Sequence, residues 1–185
     1  MHAYVDESHY AGPPSFYLLA AVLVDEESID RAREAVRALQ VHKRRVHWHR
    51  EEPAGRVRLA SAVAAIGLPA TVVIGTPVRP EKQERARRQC LGQLVWILGG
   101  CGVTTVCLES RGALRDVNDR LALAGFRGSG VLDPSLYVNH AVADAEPLLW
   151  AADIVAGAAS EAERGESRYL AALAEAVLLH RFPLK

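Results

Sequence analysis

The run Ser15-Phe-Tyr-Leu-Leu-Ala-Ala-Val-Leu-Val24 constrains this chain more than any other segment. It is continuously apolar, rich in strand formers, and bounded upstream by Gly12-Pro13-Pro14. A half-exposed strand alternates apolar and polar residues. A strand without alternation must be covered on both faces, so the sheet that holds it needs a layer on each side. Ala3 to Ser8 reads as a shorter strand that pairs with the run as an antiparallel hairpin. Further strands are expected at Ala70 to Gly75, Gly102 to Glu109 and, more weakly, Leu136 to Val138.

Helical spacing fills the gaps. Ile29, Ala32, Val36 and Leu39 mark a helix within Glu27 to Gln40, and a second runs from Pro53 to Ile66 with Gly67 as its stop. Pro80 opens a long helix with Leu91, Leu94, Val95 and Leu98 on one face, closed by Gly99-Gly100. Leu114, Val117 and Leu121 predict the inward face of another helix, with Asp116 and Asp119 on a solvated face. Pro147 to Ala159 is a strongly apolar helix, and Tyr169 to Leu179 predicts a last one. The expected architecture is α/β: a mixed sheet of about five strands, helices on both faces, and a helical insertion after the second strand, at about residues 27–67. Residues 1–185 read as one domain.

Composition narrows the class. Lys+Arg and Asp+Glu are 22 each, so no global positive field drives polyanion binding, although a local basic groove remains compatible. Cys90, Cys101 and Cys107 lie in apolar runs at no zinc spacing, which predicts a reducing, cytoplasmic setting without disulfides. The N-terminus reaches Asp6 too early for a signal peptide, and no apolar stretch has the length of a membrane span. Only three of the 22 basic residues are lysine, a GC-rich codon signature that discounts arginine abundance by itself.

Three acids sit where an acid is locally unexpected. Asp6 ends the first strand, Glu109 ends the fourth after Val106-Cys107-Leu108, and Asp153 is the sole charge within Pro147 to Ala159. A charge inside a buried helix is costly unless it is paired or binds a metal. If strands one and four are parallel neighbours, Asp6 and Glu109 stand side by side at the strand ends where ligands bind in open α/β sheets. Asp153 then completes a cluster whose mutual repulsion a divalent cation resolves. An all-carboxylate donor set favours Mg²⁺ or Mn²⁺. Glu7 and Asp144 are outer candidates for that site. Each acid taken singly is also explained by a strand end or an arginine partner.

Tyr4-Val5-Asp6-Glu7-Ser8, Phe16-Tyr17-Leu18-Leu19-Ala20 and Leu148-Leu149-Trp150-Ala151-Ala152-Asp153-Ile154-Val155-Ala156-Gly157 together resemble the bacterial "domain of unknown function 3800" family, across nearly the whole chain. The resemblance implies a ribonuclease H-like fold and metal-dependent nuclease chemistry. It matches Asp6 to the family's first-strand acid, Asp153 to its last-helix acid, and Glu109 to a position often held by Asp. His9 stands where Gly is common, and Trp150 where the late motif has Gln.

Two basic clusters accompany the acids. The denser runs from His42 to Arg50, with Arg56 and Arg58 beyond. Arg44, Arg45, His47, Trp48, His49 and Arg50 suit a phosphate-tracking groove with one stacking platform. Arg111 either touches a phosphate or pairs with an acid. Arg79, Lys82, Arg85, Arg87 and Arg88 form the second cluster, expected to be a solvated helix face. Glu146 is expected to stabilise the N-terminus of the apolar helix. Two functional classes stay open: a metal-dependent nuclease acting on nucleic acid, and a catalytically silent nucleic-acid or protein-binding module on the same fold. The discriminator is whether the acids converge or are neutralised by arginine. Oligomeric state is not legible.

Overall fold

The computed structural model describes residues 1–40 and 45–185, except for the side chain of residue 174. Its centre is a six-stranded mixed sheet in the order β5-β4-β1-β2-β3-β6. β1 (His2–Tyr10) pairs antiparallel with β2 (Phe16–Val24), and β2 antiparallel with β3 (Ala70–Thr76). β4 (Thr105–Glu109) lies parallel to β1, with Val5 beside Leu108, and β5 (Tyr137–Ala141) lies parallel to β4.

All nine residues of β2 are buried, as its unbroken apolar run requires. On one face, Tyr4, Leu18, Ala20, Val22, Val72 and Ile74 pack under α5 (Leu148–Glu163) and the helices inserted between β2 and β3. Those are α1 (Ile29–Arg37) and α2 (Pro53–Ile66); Gly67 ends α2 at φ 75°. On the other face, Ala3, Val5, Leu19, Ala21 and Val73 pack under α3 (Gln83–Gly100), with Leu91, Leu94, Val95 and Leu98 all buried as their spacing predicts. Among the described residues, no helix is long and apolar enough to cross a membrane. The three cysteines are free.

Two expectations fail. The last predicted helix is cut to α6 (Arg168–Ala171), and Val177–Pro183 forms β6 instead, parallel to β3 with Val73 beside His180. Burial along β6 broadly alternates, half-buried against exposed. The short Val-Leu-Leu run reads equally well at either period until a free sheet edge claims it. The second failure is the rotation of α4 (Ala113–Gly128). Leu114 is 86% exposed and Leu121 67%, while Asp116 and Asp119 are buried. The helix is turned by charge: Arg87 of α3, expected in solvent, is only 3% exposed and lies beneath α4. A buried guanidinium demands a carboxylate, and Asp119 supplies it at 2.7 and 2.9 Å.

Candidate metal-binding and nucleic-acid site

Residues alternate in facing along a strand, and laterally paired residues share a face. Asp6 therefore lies on the same side as Tyr4, and Glu109 on the same side as Cys107, both under α5. Asp6 is 8% exposed. Burial first, then a hydrogen bond to Glu109, then the negative charge of Asp153 push its pKa well above the usual carboxylate range. Asp153, on α5, lies near enough for its charge to act on Asp6.

Asp153 is also held from behind. Its Oδ2 accepts the Trp48 backbone N–H at 2.8 Å and meets His47 Nδ1 at 3.1 Å. These partners come from the segment between α1 and α2, so the insertion after β2 builds one wall of the site. The wall sits close because of Gly157: a Cβ there would overlap the Trp48 indole, which lies directly on the helix backbone. Arg45, from the same segment, places Nη1 3.7 Å from Glu109 Oε1 and 3.5 Å from Asp144 Oδ1.

Other candidates are placed differently. Trp48 is fully buried, edge-on to Tyr169 at 5.2 Å, so it offers no base-stacking surface. Its role is to pin the insertion to α5. His47 and His49 do not share a strand face: His47 is extended, Trp48–Arg50 forms a 3₁₀ turn, and the imidazoles meet edge-on at 5.8 Å. His49 and Arg50 are exposed. Arg44 lies outside the described residues. Asp144 is exposed and, among the described residues, touches the cluster through Arg45. Trp150, in place of the expected Gln, buries its ring and donates Nε1–H to the Ala143 carbonyl at 2.6 Å, fixing the loop before α5. Glu146 accepts the Leu148 N–H and is clamped by Arg33 at 2.6 Å, the expected helix-end role.

Glu7 and Arg111 belong to a second cluster across the sheet that sequence reasoning missed. Glu7 points to the α3 side, where it accepts the Tyr17 hydroxyl at 2.6 Å and pairs with Arg87. Arg111 pairs with Glu84 at 2.6 Å and with Asp119 at 3.3 Å. His140 Nε2 approaches Asp119 at 3.3 Å. Burial alone would raise the Asp119 pKa. Hydrogen bonds from Arg87 and His140, with the charges of Arg87 and Arg111, outweigh it and hold the group well below the usual range. The available signal was Arg87: an arginine four residues before Leu91 and seven before Leu94 sits on the buried stripe of α3.

The donor set of Asp6, Glu109 and Asp153 fits a hard divalent cation in chemistry, being all carboxylate oxygen and short of compensating charge. The side chains are not already closed into a cage: no three acids, histidines or cysteines among the described residues stand at ligating geometry together.

A mixed sheet with three antiparallel strands, two parallel ones beside the first, and helices on both sides is a ribonuclease H-like fold. Solved structures with this fold bear it out. The ribonuclease HII in a complex with PCNA from Archaeoglobus fulgidus is 18% identical, with a TM-score of 0.58 over 89% of this chain and 73% of that one. The ribonuclease H2 from Pyrococcus horikoshii is 18% identical, with a TM-score of 0.57 over 88% of this chain and 73% of that one. A point mutant of Bst-RNase HIII is 16% identical, with a TM-score of 0.56 over 88% of this chain and 52% of that one; Bst-RNase HIII has also been solved in complex with Mn²⁺. No family model and no curated protein matches the sequence. At these identities the likeness concerns the fold.

Proposed function

We propose that this protein is a metal-dependent nuclease of the "domain of unknown function 3800" type, hydrolysing phosphodiester bonds with Mg²⁺ or Mn²⁺ held by Asp6, Glu109 and Asp153. The observation that supports the reading is that Asp6 and Glu109, from adjacent parallel strands, are hydrogen-bonded to each other within reach of the charge of Asp153 from the helix above them. A divalent cation bound there would supply Lewis-acid stabilisation of the phosphate oxygens and a lowered water pKa. The chain's own residues provide the rest. Burial of Asp6 keeps water from diluting the field at the site. His47 and the Trp48 N–H fix one oxygen of Asp153, so its other oxygen is left for the cluster. The basic segment Arg45 to Arg50 stands alongside, where a polyanion would lie.

The test is cleavage of labelled single-stranded and duplex DNA, RNA and hybrid oligonucleotides. Wild type with Mn²⁺ cuts at least one substrate, chelation stops it, and Asp6→Asn loses roughly 10²–10³-fold, the size of losing one group that stabilises developing charge. Glu109→Asp loses less, because a carboxylate remains.

One observation favours a second reading. Arg45 neutralises Glu109, and Asp153 is satisfied by His47 and Trp48, as a catalytically silent nucleic-acid-binding module would tolerate. That reading gains if the protein binds oligonucleotides, folds normally and cleaves none of them with either metal.

A further inference from the structure

Beside the carboxylate cluster, between the C-terminal end of α1 and the N-terminal end of α5, lies a cavity of about 290 Å³. Arg37, Gln40, Arg45 and Asp144 supply its polar lining, with Trp150 and Pro147 as part of its apolar wall. Arg37 makes no ion pair among the described residues, and the Gln40 side-chain amide makes no hydrogen bond among them. Among the described residues the one carboxylate in the lining, Asp144, is already matched to Arg45. Among the described residues the lining therefore has an excess of one positive charge and a side-chain amide without a partner, the chemistry that holds a phosphate.

Arg45 belongs to both places. Its guanidinium lines the cavity and, through the same nitrogen, reaches Glu109 and Asp144 at 3.7 and 3.5 Å. Neither distance is that of a tight, charge-assisted hydrogen bond. The side chain is 30% exposed, and so it can turn without breaking a packed core. A divalent ion on Glu109 removes the negative charge that draws Arg45 towards the cluster.

Resting on the reading of Asp6, Glu109 and Asp153 as a cation site, we infer that Arg45 is shared between two ligands. A divalent cation releases it from Glu109, and with Arg37 and Gln40 it then holds one backbone phosphate of a polynucleotide next to the bond to be cut. Cation and phosphate binding are thereby coupled, and by linkage each strengthens the other by the same factor.

The experiment uses the full chain and measures two affinities in wild type, Arg45→Gln and Arg37→Gln. One is Mn²⁺ affinity by calorimetry without nucleic acid. The other is oligonucleotide affinity against salt, in EDTA and in Mn²⁺. Thermal melts of each variant establish that it is folded. Arg45→Gln should bind Mn²⁺ several-fold more tightly, having lost the competing cation, and should bind oligonucleotide roughly tenfold or more weakly. Its salt slope should fall by about 0.7 on a single strand. Arg37→Gln should weaken oligonucleotide binding in the same way and leave Mn²⁺ affinity unchanged.

Unchanged or weaker Mn²⁺ binding in Arg45→Gln overturns the sharing, and unchanged oligonucleotide binding in Arg37→Gln overturns the subsite. If wild type binds no Mn²⁺ at all, the cation-site reading fails with the coupling, while the EDTA series still decides the phosphate subsite. Comparing 5′-phosphorylated with 5′-hydroxyl oligonucleotides separates the phosphate's sources. Equal losses in the variants support a backbone phosphate. A loss confined to the phosphorylated strand, or sensitivity to inorganic phosphate alone, overturns that assignment.

Discussion

On the α5 side of the sheet, Asp6, Glu109 and Asp153 gather three carboxylates against one half-exposed arginine and one histidine. On the α3 and α4 side, Arg87 and Arg111 are interleaved with Glu7, Glu84 and Asp119, and His140 and Tyr17 complete the hydrogen bonds. Both clusters bury charge at the same end of the same strands. Asp6 and Glu7, adjacent in sequence, are divided between them by the alternation of β1. One cluster sets two arginines against three carboxylates, each acid with an arginine partner, and serves to lock α3, α4, β1 and β5 together. The other is left short of positive charge, with an acid whose proton is held by burial and by its neighbours. Buried charge is structural where it is paired inside the chain and becomes a candidate ligand site where the chain leaves it short of partners.

The largest effect should come from unpairing the arginine-paired cluster. Arg87→Met takes from buried Asp119 its bidentate partner and from half-buried Glu7 its nearest cation, leaving only Arg111 to both, and should destabilise the protein by about 3–5 kcal/mol in denaturant unfolding. Adding Asp119→Leu should restore much of the loss, since removing both partners relieves the orphaned charge. If Arg87→Met has a near-neutral effect, the two clusters do not differ as described.

Asp6→Asn should do the reverse. In EDTA it removes the cost of burying an ionisable group beside two other acids and should raise stability by about 1 kcal/mol, read as a higher melting temperature. The same substitution should abolish any stabilisation by Mn²⁺, because mass action needs the site. A lower melting temperature in EDTA would show that Asp6 is held by favourable partners after all.

The clusters should also carry opposite pH signatures. Asp119 has a depressed folded pKa. Its stabilisation is present above the ordinary carboxylate value near 4 and is lost as pH falls through the folded value. Asp6 has a raised folded pKa, so stability declines as pH climbs from about 4 through that value. In EDTA, Asp119→Asn should flatten the acid limb of a stability profile, and Asp6→Asn the limb above it.

The smallest effect should lie outside both clusters. Leu121→Gln, at an exposed position of α4, should change unfolding free energy by no more than about 0.5 kcal/mol. A loss of several kcal/mol would mean that α4 is rotated as its leucines, not its aspartates, dictate.

Several features were legible in the residues alone. The unbroken apolar run of β2 required a sheet covered twice. Gly67 and Gly99-Gly100 lie where the helices end, and the lone Asp153 in an apolar helix singled out a residue whose charge acts on Asp6. These are local signals, because periodicity, stop residues and a charge out of place are all visible within a few turns of chain. What the tertiary structure decided was partnership. Leu114, Val117 and Leu121 have perfectly good helical spacing, yet the demand of a buried Arg87 for a carboxylate turned α4 the other way. Trp48 reads as a stacking platform until Gly157 opens a place for it on α5. Val177–Pro183 becomes a strand because β3 offers an edge. The free energy of a buried charge, an indole or an edge strand is set by its partner, and partners more than a hundred residues apart, such as Trp48 and Gly157, are chosen only when the chain has folded.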